Sequence, residues 1–228
     1  MASKKQIQEL ALKGTPVPPC KLVKPKTKNQ HKLWTALLNN PLVCGIGFAG
    51  TGKTFVTGMT ACSMLTDGKV KRVIITRPNV PTGRTLGHFP GTVAEKMEPW
   101  LAPITSVLKD GLGNAKYEAM IDKEILIQPL ETIRGQSFED AFIIVDESQN
   151  LSMDEIKALT TRIGEGSVMA LIGDPQQSDV RDGSDLLKFV HLCNASGIDV
   201  PLVEFQIADI VRSEMCKKLI TMFYEEGL

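Results

Sequence analysis

Apolar residues in this chain fall into two kinds of segment. Residues 42–46, 142–145 and 168–172 are short runs with no polar alternation, the mark of strands buried on both faces in a parallel sheet. Further strands are expected at 72–76, 125–128 and 202–205. Between these runs, residues 55–65, 93–108, 153–161, 184–193 and 207–223 carry helical spacing, with Pro99 and Pro103 expected to break or kink the second helix. Strands that alternate with helices predict an α/β fold of three layers, a mostly parallel sheet with helices on both faces. No internal repeat interrupts the pattern.

Composition adds few constraints. A chain of 228 residues lies within the range of one α/β domain, and 26 Lys and Arg balance 26 Asp and Glu, so bulk charge selects no partner. Its distribution is uneven. Lys4, Lys5, Lys13, Lys21, Lys24, Lys26, Lys28 and Lys32 are opposed only by Glu9 near the N-terminus. Together with Pro16, Pro18, Pro19 and Pro25, they lead us to expect a basic extended arm over residues 1–28 and a single domain over 29–228. Two readings of the arm stand side by side: a solvated tail, or a strap along nucleic-acid phosphates. No run reaches the ~18 apolar residues of a membrane span, and the arm has no signal-peptide core, so a cytoplasmic protein with no membrane partner is expected. Cys20, Cys44, Cys62, Cys193 and Cys216 are widely spaced with no CxxC pair, which favours neither a disulfide framework nor a zinc site. His31, His88 and His191 are too scattered to suggest a metal cluster or a triad.

The chemistry begins after the first buried strand. Gly47, Phe48, Ala49, Gly50, Thr51, Gly52, Lys53 and Thr54 satisfy the phosphate-binding loop pattern. In that pattern glycines let consecutive backbone N–H groups curl round a triphosphate, the lysine neutralises the outer phosphates, and the Thr54 hydroxyl reaches Mg²⁺. A strand before the loop and a helix after it are what the mechanism needs, because the helix N-terminus adds partial positive charge. The apolar strand 142–145 ends in Asp146 and Glu147. Asp146 is placed to hold Mg²⁺ opposite Thr54, and Glu147 to polarise an attacking water. Strand 168–172 runs into Gly173, Asp174, Pro175, Gln176 and Gln177, where Gln177 could sense a γ-phosphate.

Taken together, these segments resemble the PhoH-like P-loop ATPases, whose core is similar to the first RecA-like domain of superfamily 1 helicases. The resemblance spans about residues 27–223. It also rests on Lys28-Asn29-Gln30, Ile75-Thr76-Arg77-Pro78, Leu86-Gly87-His88-Phe89-Pro90-Gly91, Glu95-Lys96, Arg134-Gly135-Gln136-Ser137-Phe138, Thr161-Arg162-Ile163-Gly164 and Asp209-Ile210-Val211-Arg212. It implies a RecA-like P-loop NTPase fold and an Mg²⁺-dependent ATPase of bacterial or phage origin that acts on RNA or single-stranded DNA. It further implies that Gln30 reads the adenine edge and that Arg212 contacts the γ-phosphate, with Arg162 as the other candidate. Arg77, Arg84 and Arg134 fall in segments that approach the nucleic-acid backbone in helicases; each is equally readable as a solvated loop charge.

The chain departs from a full helicase in carrying one RecA-like core. A homo-oligomeric ring, a hexamer among the candidates, with an arginine donated in trans, is the expected remedy. The family's usual proline is replaced by Phe48. Two other classes compete: a small-molecule kinase, which has no need of a water-activating Glu147, and a nucleotide-gated binding protein with slow turnover. No guanine-reading Asn-Lys-x-Asp sequence, nuclease-type carboxylate cluster or base-stacking run of aromatics is present.

Overall fold

The computed structural model describes residues 24–78, 93–133, 135–177 and 185–226, with the backbone alone for 93–99. Six strands form one sheet: β1 (Leu42–Gly47), β2 (Arg72–Thr76), β3 (Ile125–Ile127), β4 (Ala141–Val145), β5 (Val168–Gly173) and β6 (Leu202–Phe205). Their order is β3-β2-β4-β5-β1-β6, and every pairing is parallel. The helices are α1 (Lys28–Asn39), α2 (Lys53–Thr66), α3 (Val93–Leu112), α4 (Asn114–Met120), α5 (Leu130–Ile133), α6 (Met153–Thr160), α7 (Asp185–Ala195) and α8 (Glu214–Glu225).

Period-two geometry explains why the central strands are apolar at every position. Val43, Val73, Ile75, Phe142, Ile144, Ala170 and Ile172 face one core, packed against Leu33 and Leu37 of α1, Val56 and Ala61 of α2, and Leu101, Ile104 and Leu108 of α3. Their neighbours Cys44, Ile46, Ile74, Ile143, Val145, Met169 and Leu171 face the opposite core, covered by Ile156 and Leu159 of α6 and Leu186 and Val190 of α7. The central strands β1, β2, β4 and β5 are thus covered on both faces.

Several expectations need correction. The helix at α3 continues through Pro99 and Pro103, although each ring removes a backbone donor, because its apolar face is locked into the core at Leu101, Ile104 and Leu108. The helix expected over 207–223 divides into a 3-10 turn, Ile207–Asp209, and α8, which starts after the Ser213 N-cap. Ile207 and Ile210 there follow helical spacing, but Asp209 turns back to accept from the Gln206 N–H and ends the turn. Helices α1, α4 and the four-residue α5 are additions that apolar spacing does not predict. Thr27 caps α1 through its side chain, which accepts from the Gln30 N–H, and Gln30, Leu33 and Leu37 form its buried stripe. For α6 the start signal is a capping box of Ser152 and Glu155. The arm's residues 1–23, together with Arg84 and Arg134, lie outside the described residues.

Sheet topology positions the site. The chain leaves β1, crosses to β2 and returns through β4 and β5, so the C-terminal ends of β1, β4 and β5 lie side by side and open on one crevice, where ligands bind in open parallel sheets. Among the described residues, no helix is long and apolar enough to cross a membrane.

Candidate functional site

The turn between β1 and α2 is built by glycines whose positions leave no room for a side chain. Gly47 has φ 126, and a Cβ there would run into the carbonyl of Phe205 on the neighbouring strand β6. Gly52, at φ 88, forms the left-handed N-cap of α2, and a Cβ would lie 2.6 Å from Gln30 Nε2. The loop carbonyls are turned outward to partners. Lys53 Nζ donates to Gly47 O and, at 2.8 Å, to Phe48 O. Val211 N–H donates to Gly50 O at 3.0 Å, Gln30 Nε2 to Thr51 O at 2.8 Å, and Val56 N–H to Gly52 O at 2.9 Å. These bonds hold the turn at the N-terminus of α2, the place where backbone N–H groups and the helix end favour an anion.

The acidic side of the site comes from β4 and β5. Asp146 directly follows β4, and its N–H donates to Thr76 O at 3.0 Å. Glu147 then takes the left-handed conformation, φ 52 and ψ 36, which a non-glycine residue seldom adopts and which turns the chain sharply into the Ser148–Asn150 turn. Glu147 Oε2 accepts from Gln149 Nε2 at 2.7 Å, while Gln149 Oε1 accepts from the Asp174 N–H at 3.0 Å. The Asp174 carboxylate in turn accepts from the Ala49 N–H at 3.0 Å and from Gln177 Nε2 at 3.1 Å. A continuous hydrogen-bonded path therefore joins Glu147 to the phosphate loop through the end of β5. Gly173 leaves the room it needs: a Cβ there would lie 2.9 Å from Gln149 N and collide with the Gln149 amide oxygen.

Electrostatics follow from this crowding. Burial pushes the Asp146 carboxyl up to about 6, helped by the charge of Glu147 and opposed by the Glu147 N–H, Arg77 and Lys53. Burial pulls Lys53 below the ordinary lysine range, and Asp174, Asp146 and Glu147 partly restore it. Because burial disfavours the charged form of Lys53, an anionic ligand at its ammonium would offset that cost.

The crevice has a volume of ≈ 570 Å³, and Gln30, Ala49, Gly50, Gly52, Lys53, Thr54, Asp146, Glu147, Gln177 and Arg212 line it. Lys24 and Lys26, from the end of the expected arm, line it too. Gln30 is buried, and its Oε1 accepts from the Lys26 N–H at 2.7 Å. Phe48 turns away and meets Tyr224 of α8 edge to face, with ring centroids 5.1 Å apart. Arg212 packs its stem on Gly50.

Other expected residues lie elsewhere. Arg77 is bound to α3, donating to Trp100 O at 3.1 Å and stacking 5.8 Å from the Trp100 ring. Arg162 is outside the crevice, at the end of α6, where its carbonyl accepts from the Phe138 N–H. Sequence reasoning gives no role to Gln149, Asp174 or Asp209. Gln149 and Asp174 stand inside the segments that carry the two carboxylates and Gln177, and that proximity is the only signal for them.

A parallel sheet of this order, with a phosphate loop after β1 and a carboxylate pair after β4, defines a P-loop NTPase of RecA-like architecture. The sequence signature of the PhoH-like protein family matches residues 22–224, and this chain belongs to that family. It is 37% identical over 209 residues to the PhoH-like protein of Bacillus subtilis (strain 168), covering 91% of this chain and 66% of that one. To Protein PhoH of Escherichia coli (strain K12) it is 34% identical over 193 residues, covering 81% and 53%. The chain thus spans less than two thirds of the length of these curated relatives. Among solved structures, the large terminase of a thermophilic bacteriophage is similar with TM-score 0.57 at 12% identity, covering 87% of this chain and 50% of that one. The UvsW helicase of bacteriophage T4 is similar with TM-score 0.52 at 14% identity, covering 89% and 68%. At such identities the likeness concerns the fold alone.

Proposed function

We propose that this chain binds ATP with Mg²⁺ and hydrolyses it, and that hydrolysis drives remodelling of RNA or single-stranded DNA. The observation that carries the reading is the convergence of Lys53, Thr54, Asp146 and Glu147 on one crevice at the C-terminal ends of β1, β4 and β5. The loop amides and Lys53 bind the β and γ phosphates, exchanging Lys53's bonds to the Gly47 and Phe48 carbonyls for charged oxygens. Gln30 holds the loop at Thr51 and faces the base, and Arg212 supplies positive charge to the γ-phosphoryl oxygens.

The donor set fits Mg²⁺, which binds through one or two carboxylates plus substrate phosphates and keeps several waters. Thr54 and Asp146 would hold it, and a cation there would offset the burial and the Glu147 charge that disfavour an ionised Asp146. When bound, the ion neutralises charge developing on the phosphates. Glu147, oriented by Gln149, takes the proton of the attacking water as its oxygen adds to the γ-phosphorus and the bond to the β–γ bridging oxygen breaks, releasing ADP and phosphate.

Coupling to a polymer is supported by the family and by the helicase and terminase likeness of the fold. A homo-oligomeric ring belongs to the same proposal, with residues 29–228 as one ATPase domain, the basic arm before it and a cytoplasmic location. The decisive experiment is steady-state ATP hydrolysis with Mg²⁺, with and without single-stranded RNA or DNA, using Glu147→Gln as the blank. Turnover in that variant should fall about a hundredfold for loss of an activating base. Unchanged turnover would sink the assignment. Hydrolysis indifferent to both polymers would replace the remodelling proposal by a nucleotide-gated switch.

A further inference from the structure

Two segments grip the phosphate loop at adjacent carbonyls. Gln30 of α1 donates to Thr51 O at 2.8 Å, and Val211, which follows the Ile207–Asp209 turn, donates through its N–H to Gly50 O at 3.0 Å. Both segments are tied to one carboxylate. Asp209 is 6% exposed, and its Oδ2 accepts from Asn29 Nδ2 at 2.7 Å and from the Gln206 N–H at 3.0 Å. The Thr27 side chain and the Asn29 backbone N–H lie beside it and favour its ionised form. Burial alone would push this carboxyl up, but Thr27, Gln206 and Asn29 together outweigh burial and hold it below the ordinary range.

We propose that Asp209 is a positioning residue that sets both flanks of the nucleotide crevice at once, holding Gln30 on the base side and Arg212 on the phosphate side. The loop, Gln30, α1, Asp209 and Val211 form a closed circuit. Thr27, beside the same carboxylate, accepts at its side-chain oxygen from the Gln30 N–H at 3.2 Å, so Asp209 sits against the capped first turn of α1. A carboxylate at that helix end is favoured by the unpaired N–H groups and the helix dipole. Arg212 lies three residues past Asp209, immediately after the Val211 bond, with its Cγ 2.7 Å from where a Gly50 Cβ would stand. Asp209 does not itself line the crevice, so its effect on nucleotide must pass through the two segments it joins.

The proposal rests on the nucleotide-binding reading and predicts a signature that loss of stability alone would not give. Isothermal titration of the full chain with Mg²⁺ would compare ADP with a non-hydrolysable ATP analogue. Asn29→Ala, which cuts only the link to α1, should weaken both ligands by the same factor. Asp209→Ala cuts both links and should weaken ADP about tenfold and the triphosphate analogue further, the scale set by a charged buried hydrogen bond. In Asp209→Ala/Arg212→Ala, the preference for triphosphate should be no lower than in Arg212→Ala alone. Asp209→Asn, which keeps the shape and an acceptor oxygen, should fall between and serves if the alanine variant does not fold. A folded Asp209 variant that binds both nucleotides like wild type overturns the proposal, as does an additive double variant. A wild-type chain that binds neither nucleotide overturns the underlying reading instead.

Discussion

Asp146 offers the sharpest test of the site's electrostatics, because its neighbours should make it destabilising when no cation is present. Its carboxyl is raised from 3.8 to about 6, first by burial and then by the adjacent Glu147 charge. That separation corresponds to about 3 kcal/mol at most, reduced somewhat by water reaching the open side of the crevice. The folded protein binds the proton more tightly than the unfolded chain. The stability this contributes is therefore fully present below about 3.8 and is lost as pH rises through about 6. At pH ~7.5 the wild type carries the whole penalty of an ionised Asp146, whereas Asp146→Asn removes the charge and keeps the shape. Urea unfolding without Mg²⁺ or nucleotide should show the variant more stable by about 2–3 kcal/mol at pH ~7.5, with the difference shrinking towards zero by pH ~4. Against a total stability of about 5–15 kcal/mol this gain is easily measured. A variant no more stable than wild type at the higher pH, or a difference independent of pH, would refute the reasoning.

Two further substitutions test the frame around the loop and the carboxylates. Gly47→Ala forces a side chain into a left-handed φ of 126 against the Phe205 carbonyl, so it should lower stability by about 3 kcal/mol or more and weaken nucleotide binding, seen by urea denaturation and titration. Gln149→Ala removes the bridge between Glu147 and the Asp174 N–H, so kcat should fall about tenfold or more while ATP KM changes little; a raised KM with normal kcat would place Gln149 in binding instead.

Much of the molecule is legible in the sequence because its informative parts are local. The phosphate loop is a turn whose glycines, Lys53 and Thr54 act within eight consecutive residues, and each central strand declares itself by apolar residues on both faces. The order of strand, loop, helix and carboxylate-ended strand then carries the class. Helix boundaries after residue 206 are misleading in the sequence because Ile207 and Ile210 match a helical stripe, while Asp209 has a stronger local partner in the Gln206 N–H. Periodicity records burial, not which backbone donors a side chain will satisfy. Helix α1 is hidden at the end of a basic, proline-rich stretch, although Thr27, Leu33 and Leu37 carry its cap and stripe.

What the sequence determined by itself was the chemistry: which residues make a phosphate loop, and which carboxylates stand at the end of a buried strand. Only the tertiary structure decided the connections, because they depend on distances between segments far apart in the chain. It tied Glu147 to Ala49 through Gln149 and Asp174, fixed Arg77 on Trp100 and left Arg162 outside the crevice. It also joined Asn29 to Asp209 across 180 positions. A hydrogen bond of that kind leaves no trace in spacing or composition, since its two partners meet only after the parallel sheet has brought the ends of its strands to one edge.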